Sequence, residues 1–365
     1  LPYSDRQCGE EGSEGAGAGG RIAVRYQDKS GWTGKAHAFG GYNQEALKDN
    51  AKAIQVGRAG AGTVFWLANS DPSDSGTIVI AGGGATGDRR AATPLTAAMN
   101  GGHRTLILTG GAVGYGKNLN VANFQVLAGS VLTTPPGVQR LNLTVGSLKV
   151  DATSRIDLTG RGDAGAASGN NAPASGMGKS PAGTGSAMDA GGSHGGKGGN
   201  AGGTVGPTYD SAANPILPGA GGGGHPGITG PGSPGGGVLV IQTQALTLQG
   251  ALVADGLATD GPTKNDLTKH GFAGAGAGGS INITTKVLSG QGTMAADGGD
   301  ACLLVGDCDD GGGAGGGGRI AVTYQSKSGW SGKAHAAGGV SQGLKGAAAV
   351  AAHGSKGTVV TQQGA

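Results

Sequence analysis

Apolar residues recur every second position through much of this chain. Leu239 and Ile241, Leu246 and Leu248, Ile281 and Ile283, and Ile320 and Val322 are such pairs. A period of two places side chains on alternate faces of an extended backbone, so each run predicts a β-strand with one face buried. Further strands are predicted at 77–82, 104–110 and 119–134. Helix is expected only at 44–55 and 343–354, where good helix formers cluster.

The strand pattern repeats. Residues 236–256 align without gaps onto 278–298 at an offset of 42. The segment from Gly317 continues the series with one inserted residue, setting Ile281 on Ile320, Ile283 on Val322, Gly292 on Gly332 and Ala296 on Ala336. Residues 140–160 form a looser copy. Each copy reads as a strand, a second strand about seven residues later, a glycine, a third short strand and a turn such as ADG. Strands recurring at one spacing in every copy predict an all-β parallel β-helix or β-solenoid, in which each coil stacks on the one below around a shared core. An immunoglobulin-like sandwich also has many short strands but does not repeat its own sequence.

Glycine-rich excursions at 161–235, 257–277 and 299–316 separate the coils. Glycines in steps of three, as in GGSHGGKGGNAGG, suit polyproline II helices, which lack internal hydrogen bonds and are held only by packing. An ordered glycine-rich layer on one flank of the solenoid is therefore expected. The organisation expected is a repeat coil at 1–75, coils at 76–160, the long excursion at 161–235, and coils with shorter loops at 236–365.

The two ends of the chain echo each other. Between Arg21 and Gly40 only four of twenty positions differ from their counterparts 298 residues later. The series GGGAGGGGRIAVTYQ, SGWSGKAHAAGG and GSKGTVV resembles glycine-rich, repeat-bearing surface proteins of bacteria, adhesin-like or fibre-forming, with GGGGGGRIA-type segments. The resemblance covers about a third of the chain. It implies an extracellular scaffold and brings no catalytic residues.

Composition narrows the classes. Although 84 of 365 residues are glycine, no strict Gly-X-Y period runs through the chain, which excludes collagen. A net charge of +3 with 13% charged residues offers no basic face for nucleic acid. No apolar run is long enough to span a membrane. The chain begins at Leu1 and reads as a mature or excised segment.

Candidate chemistry is sparse. Cys302 and Cys308 could close a small loop in an oxidising compartment or stay free, and Cys8 could pair with another unit. Asp300, Asp307, Asp309 and Asp310 form the best candidate for a cation, calcium if any, without the ligand spacing of a known loop. Asp255 and Asp297 align across neighbouring coils, which predicts carboxylates about 5 Å apart. That separation suits a shared cation or a retaining glycosidase, but Asp-Gly also simply makes a good turn. Arg161, Gly162 and Asp163 spell RGD, and sequons occur at Asn142 and Asn282, both within predicted strands. His37 and His335, like Trp32 and Trp330, occupy matching repeat positions, and no histidine shows zinc-type spacing.

The expectation is a non-enzymatic structural subunit, or a segment of a tandem-repeat array, of an extracellular or cell-surface fibre, pairing head to tail with its own copies and needing no cofactor. Some seven coils would give an axial repeat of about 35 Å. The alternatives are a binding module at a fibre tip, using glycine-rich loops on a cell-surface or glycan receptor, and a polysaccharide-degrading β-helix enzyme.

Overall fold

A computed structural model describes residues 17–41, 59–83, 91–167, 178–225, 231–259, 273–301, 311–327, 329–342 and 346–364. The strands in chain order are β1 (Arg21–Tyr26), β2 (Thr63–Ala68), β3 (Thr77–Ala81), β4 (Thr93–Pro94), β5 (Gly101–Thr109), β6 (Val113–Tyr115), β7 (Asn118–Val126), β8 (Val131–Thr133) and β9 (Arg140–Val150). There follow β10 (Arg155–Asp157), β11 (Val238–Leu248), β12 (Ala251–Val253), β13 (Ser280–Ser289), β14 (Thr293–Ala295), β15 (Arg319–Ser326), β16 (Lys333–His335) and β17 (Thr358–Gln363). They form a ten-stranded sheet in the order β1-β2-β3-β5-β7-β9-β11-β13-β15-β17 and a seven-stranded sheet in the order β16-β14-β12-β10-β8-β6-β4. From β3 to β16 the chain alternates between the sheets, climbing one rung at a time as a parallel β-helix. The one α-helix among the described residues, α1 (Gly346–Ala352), lies inside the predicted 343–354 segment, and the 44–55 segment lies outside the described residues.

The sequence repeats are the register. Leu239 pairs with Ile281 and Ile241 with Ile283 between β11 and β13, and Ile281 with Ile320 and Ile283 with Val322 between β13 and β15. The looser copy pairs Leu141 with Leu239. Each pairing sets like on like, so apolar columns run along the axis. Leu141, Leu239, Ile241, Ile281, Ile283 and Ile320 are fully or almost fully inaccessible and share one core with Phe124, Leu106 and Leu132. Burial of each such side chain contributes about 1.5–3 kcal/mol.

Two expectations change in detail. The first two strands of each copy are one strand with a corner. Pairing of β11 with β13 skips from Thr243–Thr285 to Ala245–Val287. At that corner Thr243 Oγ1 donates to Ala245 O (3.0 Å) and Thr285 Oγ1 to Val287 O (2.9 Å). Turn residues are unnecessary where a side-chain hydroxyl bridges the bend. The second change is at the start of the sheet, where β2 pairs with β3 antiparallel, Phe65 opposite Ile78, whereas β1 and β2 pair in parallel. β1 and β2 therefore run opposite to the body of the solenoid.

The glycine-rich layer is present. Segments at 162–166, 191–199, 219–223, 232–236, 274–279 and 313–318 are neither helical nor stranded, and donate their N–H groups sideways. Gly222 donates to Ser233 O, Ser233 to Gly274 O, Gly274 to Gly223 O and Ala275 to Gly313 O, at 2.8–3.0 Å. Ala190, Ala220, Ala275, Ala277 and Ala314 are buried within the layer. Glycine is required because the backbones lie too close for side chains. A Cβ on Gly276 would overlap the carbonyl of Pro234, and one on Gly315 that of Gly276. The entropy lost in ordering glycine is offset by satisfying backbone groups that would otherwise be buried without partners.

Candidate functional sites and end surfaces

Asp255 and Asp297 sit on adjacent rungs, one residue beyond the apolar Ala254 and Ala296 that close the short strands. The contact between them is from side chain to backbone: Asp255 Oδ1 accepts the N–H of Asp297 (2.7 Å). Asp297 Oδ1 in turn accepts the N–H of Ala337 (2.7 Å) and meets His335 Nδ1 at 2.9 Å. Asp300 repeats the device, accepting the N–H of Val340 (2.7 Å). The carboxylates thus tie each turn to the next rung. Burial, with the charges of Asp297 and Asp157, pushes the Asp255 carboxyl up to about 6, against the opposing pull of the Asp297 N–H and of His335.

This makes a pH-dependent prediction. The folded chain holds the Asp255 proton to higher pH than the unfolded chain, whose value is 3.8. Asp255 therefore costs no stability below about pH 4, and its cost grows until pH passes about 6. Asn keeps the acceptor but carries no charge. We expect Asp255→Asn to gain about 2 kcal/mol near pH 8 and almost nothing near pH 4, read by urea denaturation. An equal gain at both pH values would rule out titration of Asp255 as the cause.

The remaining sequence candidates divide. Cys8, Cys302, Cys308, Asp307, Asp309 and Asp310 lie outside the described residues, so only Asp300 of the acidic cluster is placed. Among the described residues no group of three or more His, Cys, Asp or Glu could hold a metal ion. The RGD tripeptide is tied into the glycine-rich layer: Gly162 donates to Gly235 O, Asp163 N–H to Gly219 O, and Gln139 Nε2 to Asp163 Oδ1 (2.6 Å). Asn142 and Asn282 lie in β9 and β13, their amides donating to Asn118 and Asn214. Trp330 packs against the main core, while its counterpart Trp32 is 54% exposed and tilts onto Trp66.

A buried polar cluster has no signature in sequence spacing. His194, within GGSHGGKGG, faces Gly278 O through Nδ1 (2.8 Å) and Asp210 Oδ2 through Nε2 (3.4 Å). Both side chains are nearly inaccessible, and the Tyr209 ring lies 4.8 Å from the imidazole. Asp210 Oδ2 also accepts the N–H groups of Ile216 and Leu217, and Oδ1 that of Ser211. Burial works against the Asp210 anion, but these bonds outweigh it and hold the carboxyl at about 2. Arg319 Nε donates to Tyr209 O (2.8 Å) and Ser280 Oγ to Leu217 O (2.6 Å). The cluster thereby fastens the long excursion to β13 and β15, which is structural work.

Among the described residues, a groove and the two ends of the long sheet carry no covering element. A groove of about 650 Å³ follows the strand corners across several rungs and is lined by residues including Asn120, Thr144, Gln242, Thr284, Lys286 and Tyr324. At the ends of the ten-stranded sheet, β1 and β17 each have one strand neighbour among the described residues. Ile22 on β1 is 37% exposed and Val359 on β17 is 41% exposed. Among the described residues no helix is long and apolar enough to cross a membrane. No protein-family model, no curated protein and no solved structure matches the chain.

Proposed function

We propose that this chain is a non-catalytic structural subunit of an extracellular filament or surface fibre, assembling end to end with copies of itself. The observation that carries the reading is the pair of sheet edges with one strand neighbour each among the described residues: β17 sets Val359 in the column of the buried Ile281 and Ile320, and β1 carries Ile22, the sequence counterpart of Ile320. Unpaired strand edges template further pairing, and natural solenoids normally cap them. The lack of catalytic character is supported by Asp255, Asp297 and Asp300, whose carboxylates are engaged by backbone N–H groups of the neighbouring rung. Light scattering over a concentration series tests the proposal. A mass that rises with concentration in multiples of 34.8 kDa is expected, and a constant monomer at high concentration would end it.

A second reading, a fibre-borne binding module, is favoured by the corner groove. Its lining offers amides, hydroxyls, Lys286 and Tyr324 but no carboxylate, which suits an extended neutral or anionic chain such as a glycan. Binding on a glycan array that is lost in Lys286→Ala with Tyr324→Ala supports it, and an array without signal removes it.

A further inference from the structure

The end-to-end reading leaves open which strand meets which, and the glycine columns answer that. Within each rung the glycine before the long strand lies against the carbonyl of its counterpart one rung earlier. A Cβ on Gly279 would overlap Gly237 O, one on Gly318 would overlap Gly279 O, and one on Gly357 would overlap Gly318 O. The first strand residue of each rung donates its N–H to the same carbonyl: Ser280 to Gly237, Arg319 to Gly279 and Thr358 to Gly318, at 2.9–3.1 Å.

The N-terminal pair β1–β2 reproduces this internal geometry. Gly62 would overlap Gly20 O, and Thr63 donates to Gly20 O (3.1 Å). Gly62 donates to Ala38 O as Gly357 does to Ala336 O, and Gly41 to Gly17 O as Gly339 does to Gly315 O. At its outer side the column stops. Gly17 and Gly20 would tolerate a Cβ with nothing within 4 Å, whereas their counterparts Gly315 and Gly318 face packed backbone. Ile22 is 37% exposed where Ile320 is fully buried. This face has the sequence of a packed rung, and among the described residues no rung lies beneath it.

Resting on the end-to-end reading, we infer that β17 of one copy is that rung, pairing in parallel with β1 of a second copy, with Thr358 opposite Arg21, Val359 opposite Ile22 and Thr361 opposite Val24. The junction continues the interface already present between β13, β15 and β17, with Gly20 of the second copy set against Gly357 O of the first. It joins Ile22 and Val359, which belong to one column: Val359 pairs with Ile320, the counterpart of Ile22. Because β2 and β3 are antiparallel, a parallel junction makes successive copies face alternately, each turned about the fibre axis relative to the last. Ile22 pairs with Val64 and Val64 with Val79, which alternates with the core residues Ile78 and Ile80. The apolar face of β1–β2 therefore points away from the core of its own body and toward the side on which the preceding copy's core would lie.

The test uses the full chain with Cys8→Ser, Cys302→Ser and Cys308→Ser. Mixing Ile22→Cys protein with Val359→Cys protein under oxidation is expected to give a disulfide-linked heterodimer, mapped by mass spectrometry, which neither variant forms alone. The double variant is expected to give a covalent ladder. Gly20→Val, where the single copy has room, is expected to keep its thermal midpoint and lose assembly. Filaments that persist in Gly20→Val and give no cross-link would overturn this junction while leaving end-to-end assembly standing. The free edges would then be met by other strands, such as a β3-like strand continuing from β17. A parent protein that forms no assembly at any concentration would overturn both.

Discussion

Replacing Gly318 by valine is expected to destabilise the fold severely. Any Cβ at this position meets Gly279 O and the Gly278 backbone. These are main-chain atoms held by two ladders at once: Arg319 N–H donates to Gly279 O and Gly318 N–H to Ala296 O. A side-chain neighbour could rotate away, whereas relief here requires parting β13 from β15 and unzipping the glycine-rich layer behind them. Overpacking that the backbone cannot absorb costs about 3 kcal/mol or more, a large share of the stability of an ordinary domain. Gly20→Val at the equivalent N-terminal position is expected to stay within about 0.5 kcal/mol. Guanidinium denaturation of both variants reads the contrast. Equal midpoints would show that the rungs at Gly318 are not in contact.

Asp210→Ala is expected to cost about 1–3 kcal/mol, because it removes the acceptor of three backbone N–H groups and of the buried His194 imidazole. The N–H groups of Ile216 and Leu217 lose Oδ2, that of Ser211 loses Oδ1, and the His194 imidazole loses its partner. Asn restores one acceptor and should recover part of the loss. The sign of the pH effect is fixed by the depressed carboxyl: its stabilisation is complete above the unfolded value of 3.8 and disappears as pH falls toward about 2. Denaturation midpoints of the parent are therefore expected to fall between about pH 4 and pH 2, and those of Asp210→Ala to be flatter there. An Asp210→Ala variant as stable as the parent at neutral pH would show that the 209–217 segment is not fastened through this group.

Much of this architecture was readable before any coordinates. The 42-residue offset appears as β11 on β13 because in-register parallel rungs put like residues on like, so repetition in sequence becomes a column in space. The insertion before Gly332 is equally visible, as Lys333 donates to Gly292 O. Other features left no trace. The corner at Thr243 is made by a hydroxyl, not by Gly or Pro, so one bent strand reads as two. The reversal between β2 and β3 is invisible because Val64 and Phe65 would alternate identically in either direction.

The polar groups divide in the same way. Asp255 and Asp297 were visible through the repeat, and Asp300 as the first member of an acidic cluster. Asp157 and His335, which complete the electrostatics around Asp255, were not, since Asp157 belongs to the looser copy and His335 replaces a different residue type. His194 and Asp210 come together only through the fold of the glycine-rich excursion, and glycine spacing carries no information about such a contact. The seven expected coils are the seven rungs from β3/β4 to β15/β16, but β1, β2 and β17 bring the long sheet to ten strands and its axial length to about 48 Å per copy.

That length, with the alternation imposed by β2 and β3, allows the most direct test of continuous end-to-end stacking. Helical reconstruction by electron cryo-microscopy of the concentrated protein is expected to show strands perpendicular to the fibre axis at about 4.8 Å and a repeat of about 96 Å holding two oppositely facing copies. A discrete particle with both ends capped, or a fibre whose strands break at the junction between copies, would contradict it.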